Sequence, residues 1–413
     1  MTSKFLSLLL LLSASPSWAQ AGAPDPLRLV ERVRALADES LGGRGNGLPG
    51  AAAAADSVAV WFSAAALVPA GEDGWFQPFS LGGEEHQGQP ARNVVGLVPG
   101  RGALADRHVV IGAHYDHLGL RSDDEGRPAG FYPGAEDNAS GVAAICEIAS
   151  LAVYDEAADR RTLWFVAFAG EEIGLQGSRW FVDHAPFPIS SLDLMVNLDS
   201  VGRLRSERLY IGGVGTAAEL RGIVTSLNDS GFGFDLQISE GGWDASDHVS
   251  FNTSGIPVLF LFTGPHPQYH SLDDRWDLVE GGPLARVTAF AAAILREVAL
   301  RPDPLSYKAV GDLTPTAPTE GGRKKRAWLG TIPDFVDDVQ GVKLAGVMPG
   351  SPAEEAGLLA GDVVVGVGEV TIGSLQDLTV ALQTHGEGET VAVVFVRDGE
   401  RRDLRVTLRP RPR

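Results

Sequence analysis

Residues 162–184 read Thr162-Leu163-Trp164-Phe165-Val166-Ala167-Phe168-Ala169, then Gly170-Glu171-Glu172-Ile173-Gly174-Leu175, then Gln176-Gly177-Ser178-Arg179-Trp180-Phe181-Val182-Asp183-His184. The first run is apolar at nearly every position, so both faces of a strand built from it need cover. Two adjacent carboxylates follow at its carboxyl end, and a helix-like stretch returns from 176 to 184. A buried strand, an acidic loop and a helix form the repeating unit of an α/β sheet. The pattern recurs on either side. Strand-like runs fall at Asn93–Val98, His108–Ala113, Leu194–Leu198, Leu209–Gly212 and Pro257–Phe262. Helix-like runs fall at Ser140–Val153, Thr216–Asn228 and Pro283–Leu300, with two more, Asp25–Leu41 and Ala51–Ala66, ahead of them. The expected fold class over residues 24–301 is therefore α/β, with a mostly parallel central sheet flanked by helices.

In such sheets functional groups gather at the carboxyl ends of the strands. Five stretches contribute imidazole or carboxylate, and all but the second end or follow a strand-like run or lie a short loop beyond one: Gly112-Ala113-His114-Tyr115-Asp116-His117, Gly134-Ala135-Glu136-Asp137-Asn138-Ala139-Ser140-Gly141, the Glu171-Glu172 loop, Asn197-Leu198-Asp199, and Tyr269-His270-Ser271-Leu272-Asp273-Asp274. Imidazole and carboxylate together suit zinc. A pair of ions needs a bridging carboxylate, and amide hydrolysis needs a further carboxylate left to take a proton from water. The adjacent Glu171 and Glu172 suit that division of labour. His114 and Asp116 are two residues apart, on one side of a continuing strand, which would let Asp116 accept the second N–H of the imidazole.

The ordered set H-x-D, G-A-x-D-N-x-S-G, F-A-x-E-E-x-G-x-x-G-S, N-x-D and Y-H resembles the co-catalytic di-zinc aminopeptidases, peptidase family twenty-eight of the metallopeptidases, over about residues 28 to 300. The resemblance implies a zinc exopeptidase-like fold and two Zn2+ ions. It makes Asp137 the bridging carboxylate, His114 and Asp199 the terminal ligands of one zinc, and Glu172 and His270 those of the other. It makes Glu171 the general base, Asp116 the acid that orients a ligand, and the Asp137–Asn138 peptide cis. The implied reaction is removal of N-terminal residues from peptides with a free amino terminus, by attack of a metal-bridged hydroxide whose proton Glu171 takes. Trp243-Asp244-Ala245-Ser246-Asp247-His248 resembles the family segment ending in S-D-H. Trp243 stands where some members carry a tyrosine that assists the oxyanion, and it is either a specificity wall or core. Asp247 and His248 are expected to cap the helix-like stretch after Trp243, to have a structural role near the pocket or, as the lesser alternative, to take part in catalysis directly. His266 is expected to be a packing residue, as are His86, His108, His117, His184 and His385, at the surface or in the core.

Residues 302–325 carry Pro302, Pro304, Pro315, Pro318 and a basic run, the composition of a linker. Beyond it, Trp328-Leu329-Gly330-Thr331, Ser351-Pro352-Ala353, Ala356-Gly357-Leu358 and Gly361-Asp362 resemble a PDZ domain of the bacterial protease type over 326–409, a small mixed strand and helix unit. That resemblance implies a C-terminal peptide ligand added along a sheet edge, its carboxylate held by backbone N–H groups near Leu329 and Gly330.

The 413 residues carry 34 Lys and Arg against 53 Asp and Glu, a formal charge of −19. That balance argues against nucleic-acid and anionic-membrane partners. A single cysteine, Cys146, excludes an intramolecular disulfide and a cysteine-based zinc site, and is expected to be a small buried residue. Lys4, the apolar run Phe5–Leu12 and the Ser17/Ala19 spacing read as a signal peptide over 1–19, so the protein is expected to be secreted or periplasmic. Three rivals share the fold. A carboxypeptidase would need a basic pocket that the sequence does not reveal. A glutaminyl cyclase would run on one zinc. An inactive peptide-binding scaffold would have lost a ligand or the base.

Overall fold

A computed structural model describes residues 22–410 apart from 84–85, 124–126, 152–158, 242–245, 311–326, 334–340, 349 and 374. The expected signal peptide, Trp243 and the basic run of the linker lie outside the described residues.

Residues up to 300 build a nine-stranded mixed sheet. In chain order the strands of this part are β1 (Val68–Pro69), β2 (Phe76–Ser80), β3 (Pro90–Val98), β4 (His108–His114), β5 (Leu120–Ser122), β6 (Pro128–Phe131), β7 (Thr162–Phe168), β8 (Leu192–Leu198), β9 (Arg208–Gly212), β10 (Asp235–Ile238) and β11 (Val258–Phe262). The sheet runs β1-β3-β7-β4-β8-β11-β9-β10 with β2 also on β3, while β5 and β6 form a separate hairpin. The four central strands β7, β4, β8 and β11 are parallel, as the apolar runs predict. The flanks are antiparallel where β3 meets β7 and β11 meets β9. Strand direction at the flanks has no local signature, because an antiparallel edge strand needs only a half-buried pattern.

The helices are α1 (Pro26–Leu36), α2 (Pro49–Ala64), α3 (Gly141–Ser150), α4 (Gln176–Asp183), α5 (Leu220–Leu227), α6 (His248–Asn252) and α7 (Gly281–Leu300). The two-residue alternation of a strand decides which of them each side chain meets. Leu163, Phe165 and Ala167 of β7, with Val109, Ile111 and Ala113 of β4, enter one core with Leu29 of α1, Phe62 of α2, Ile145 of α3, Val224 of α5 and Phe290 of α7. Trp164, Val166 and Phe168, with Val110, enter a second core with Phe181 of α4 and Phe251 of α6. Cys146 is buried in α3, as expected. None of the described helices is long and apolar enough to cross a membrane.

The first residues of the expected linker are pinned to this body. Arg161 donates to the carbonyls of Arg301 and Asp303, and Lys308 N–H donates to the Thr216 carbonyl at 2.8 Å. The buried side chain of Leu305 joins the main core. Proline-rich composition marked 302–308 as linker, but its extended backbone is satisfied by the body beside it.

Residues 327–410 have a core of their own, including Leu329, Leu344, Ala353, Val364, Val393 and Phe395. Thr331–Pro333, Val342–Val347, Val363–Val367, Thr390–Arg397 and Glu400–Thr407 pair antiparallel in that order. A short helix, Pro352–Ala356, starts where Ser351 Oγ accepts the Glu354 N–H at 3.1 Å, with Pro352 at its first position. A second helix spans Leu375–Thr384.

Candidate metal centre

The parallel register brings the five motifs together. β4 pairs with β7 from His108 opposite Thr162 to His114 opposite Phe168, so His114 stands three residues short of the level of Glu171. Asp199 follows β8, and His270 lies eight residues beyond the end of β11. His270 and Ser200 both hold positive φ values, 54° and 55°, a region that costs ordinary residues free energy and persists where surroundings impose it.

Asp137 is the centre of the cluster. Its Oδ1 is 3.2 Å from His114 Nε2, which is 3.5 Å from Asp199 Oδ2. Its Oδ2 is 2.8 Å from His270 Nε2, which is 3.3 Å from Glu172 Oε1. One carboxylate therefore turns its two oxygens toward two different imidazoles. The donor atoms of His114, Glu171 and Asp199 lie within 4.8 Å of one another, and so do those of Asp137, Glu172, His270 and a further residue, His117. The sequence reading set His117 aside as a packing residue. It is instead 1% exposed, with Nδ1 2.8 Å from Glu172 Oε1. The signal was present, since His117 directly follows Asp116 in the H-x-D motif.

Electrostatics shows that this donor set fits cations. Burial disfavours a charged His114, yet Glu171, Asp199 and Asp137 hold its imidazole protonated well above the usual range. Burial likewise opposes ionisation of Glu172, yet His270 and His117 keep its carboxyl below the usual range. The cluster stabilises positive charge in a buried place, and a divalent cation would supply it more compactly. Glu171 behaves otherwise. Burial raises its carboxyl well above the ordinary value; His114 pulls the other way, and Glu172, Asp247 and Asp199 add to the rise.

The surrounding residues explain the motifs. Asn138, joined to Asp137 by a cis peptide, donates to the Leu198 carbonyl at 2.9 Å, and its Oδ1 accepts the N–H of Gly141 at 2.9 Å and of Ser200 at 3.2 Å. It ties Asp137 to the strand end that carries Asp199. A Cβ on Gly141 would lie 2.4 Å from both Asn138 Oδ1 and the Leu198 carbonyl, so only glycine fits there. Asn197 donates to Ser246 Oγ at 2.9 Å, linking N-x-D to S-D-H. Glu136 accepts the N–H groups of Gly202 and Arg203 and the Thr263 hydroxyl, and burial pushes its carboxyl up to about 8. Asp274, which the sequence reading quoted without a role, accepts the backbone N–H of Glu136 and Asp137 at 3.1 Å.

Asp116 does not hold the imidazole through its carboxylate. His114 Nδ1 faces the Asp116 backbone carbonyl at 3.2 Å and is 3.9 Å from Oδ1. The carboxylate instead accepts the N–H of Glu171 at 3.1 Å, the N–H of Glu172 at 3.2 Å and the Asn46 amide at 2.6 Å. The strand ends at His114, so its side-chain alternation no longer sets the direction of Asp116. Asp247 is the N-cap residue of α6 but makes no capping bond. It is buried close enough to His114 and Glu171 to act on both, and burial raises its carboxyl to about 7. His248 stacks on Phe260 at 4.6 Å. His266 is buried and faces the Arg203 guanidinium at 3.0 Å, and burial with that charge lowers it to about 3. His108 stacks on Phe187 and His184 on Trp180, as packing residues do.

A segment ahead of the motifs completes the site. Arg44 is fully buried and donates to four carbonyls: Tyr115 at 2.7 Å, Leu36 at 2.6 Å, Pro133 at 2.7 Å and Gly134 at 2.8 Å. Tyr115 lies between His114 and Asp116, and Gly134 opens the stretch that carries Asp137, so one guanidinium fixes two of the five stretches. Burial lowers it to about 10, while Asp137, Asp274, Asp116 and Glu172 hold it charged. Arg44→Met is expected to cost at least about 3 kcal/mol, because several buried carbonyls lose a charged donor. Arg44→Lys recovers only part, since one ammonium lacks the planar fork. Denaturant unfolding of the variants checks this.

Comparison with known proteins agrees with this geometry. Residues 93–295 match the model of peptidase family M28 and residues 327–408 that of the PDZ domain. The first domain thus belongs to peptidase family M28, and a PDZ domain follows it. Aminopeptidase YwaD of Bacillus subtilis is 29% identical over 196 residues, 45% of this chain and 40% of that protein. Among solved structures, the zinc aminopeptidase BSAP from Bacillus subtilis superposes with a TM-score of 0.53 at 17% identity, covering 70% of this chain and 97% of that one. Porphyromonas gingivalis glutaminyl cyclase superposes with a TM-score of 0.55 at 18% identity, covering 67% and 99%. At those identities the structures speak for the fold alone. The chain spans about half the length of the curated relatives it matches, from 40% of the first to 56% of the second.

Proposed function

We propose that this chain is a secreted or periplasmic metallo-aminopeptidase that uses two zinc ions to hydrolyse the N-terminal residue from peptides. The observation that carries the reading is the division of Asp137, one oxygen toward His114 and the other toward His270. A carboxylate so placed serves two cations at once. The apolar run near the start of the sequence and the signal-peptidase-like spacing after it support export.

His114, Asp137 and Asp199 would hold one ion, and Asp137, Glu172 and His270 the other. Bound there, the ions would polarise the scissile carbonyl and acidify a water. Glu171, beside His114 and Asp199, is placed to take a proton from water and return it to the leaving amine. Asp116 sets where Glu171 can act, since it grips the backbone N–H of both glutamates. Asp274 holds Asp137 from behind through its backbone. The PDZ domain takes an extended peptide end, either to recruit substrate or to regulate.

Release of a chromogenic amine from amino-acid anilides tests the reading. The expected result is hydrolysis that a chelator abolishes and zinc restores, with amino-blocked substrates untouched. Cleavage of blocked substrates from their carboxyl end would favour a carboxypeptidase, and cyclisation of N-terminal glutamine without hydrolysis a glutaminyl cyclase.

A further inference from the structure

The imidazole of His117 has no place in the mechanism above, yet it lies inside the cluster. Its Nδ1 is 2.8 Å from Glu172 Oε1 and 3.8 Å from Asp137 Oδ2, and its ring centre is 5.7 Å from that of His270. At 2.8 Å the two atoms are in contact without meeting the geometry of a hydrogen bond. Neither ring nitrogen of His117 and not Glu172 Oε1 has a hydrogen-bond partner among the described residues. Leaving such groups buried and unmet is costly. Two polar atoms close together, each turned away from a bond to the other, are arranged to face a common third atom. Ligand atoms around one tetrahedral zinc, at arms of about 2.0–2.2 Å, stand about 3.3–3.6 Å apart, within the 2.8–3.8 Å spread of the contacts among His117, Asp137, Glu172 and His270.

The ring is held there. The His117 N–H donates to the Arg44 carbonyl at 3.2 Å, and its backbone bridges to Gly45. The ring packs over Gly134, where an added Cβ would lie 2.5 Å from Cδ2; that glycine, at a φ of 56°, keeps the space for the imidazole.

We propose that His117 is a fourth protein donor, beside Asp137, Glu172 and His270, to one of the two cations. This inference rests on the two-cation reading of the site and deepens it. It makes the two positions unequal. Four side chains enclose one, the arrangement of a structural zinc site, while His114, Asp137 and Asp199 leave the other open, as a catalytic site requires. Glu171, the base, lies on the open side with His114 and Asp199. The enclosed ion therefore binds tightly and anchors the site, and the exchangeable ion is the one beside the base.

The test uses the full chain, stripped of metal and titrated with Co2+, followed by visible absorption and by proton NMR of hyperfine-shifted imidazole N–H signals. The wild type is expected to fill in two steps, a tight one and a weaker one, and to show three such signals at full loading, from His114, His117 and His270. His117→Asn keeps a hydrogen-bonding amide against Glu172 but no imidazole. It should lose one signal and weaken the tight step at least about tenfold, with His117→Ala behaving alike. Two signals in a wild-type chain holding two ions would overturn the proposal and leave the two-cation reading standing. An unchanged tight step and spectrum in His117→Asn would do the same. Failure to bind Co2+ at all would overturn both.

Discussion

Glu171→Gln is expected to lower turnover by about 10²- to 10⁴-fold, the range that a positioned general base contributes, with metal content unchanged. The exchange is nearly isosteric, and the backbone N–H of residue 171 still donates to Asp116, so the loop keeps its place. What disappears is a carboxylate that burial and three neighbouring acids make unusually avid for a proton. The Glu171 oxygen lies within 4.8 Å of the ligand atoms of His114 and Asp199, close enough to bind metal itself. A base and a ligand then make different predictions. Loss of a base leaves a metal-replete, slow enzyme; loss of a ligand lowers metal content with activity. Anilide turnover and elemental analysis on the same preparation separate the two, and full turnover with both ions present would remove Glu171 from the reaction.

The contrast between Glu171 and Glu172 shows how much of the site is legible in a sequence. Apolar runs located the strand ends, and strand ends located His114, Glu172 and Asp199, because a parallel register carries neighbouring termini to one level. Asp116 was placed near the site but given the wrong contact. Side-chain alternation predicts its direction only while the strand continues, and the chain leaves the strand at His114. The groups that brace the site were harder to see. Arg44 reaches Gly134 across 90 residues, Asn46 reaches Asp116 across 70, and Asp274 reaches Asp137 across 137. Each acts on backbone or on another carboxylate, so nothing in its own neighbourhood marks it. The antiparallel flanks of the sheet escaped for the related reason that pairing direction is a property of two distant segments.

Asp137→Ala is expected to empty both metal positions, whereas Asp199→Ala should empty only one. The difference follows from which oxygen faces what. Of the site's two liganding imidazoles Asp199 meets only His114, through Oδ2 at 3.5 Å. Asp137 meets His114 with one oxygen at 3.2 Å and His270 with the other at 2.8 Å. Removing it takes a donor from each ion and also the negative charge that screens two cations from each other. At an effective dielectric constant of about 20, two doubly charged ions about 4 Å apart repel by roughly 17 kcal/mol, four times the figure for a pair of unit charges. That repulsion bars the two ions from being held together without a carboxylate between them, and the single ion that could remain has lost one of its donors and a unit of negative charge. Elemental analysis after gel filtration should therefore find two ions per chain in the wild type, about one in Asp199→Ala and almost none in Asp137→Ala. If Asp137→Ala instead kept both ions, Asp137 would not bridge them, and one retained ion would mean that Glu172, His270 and His117 hold a cation without it.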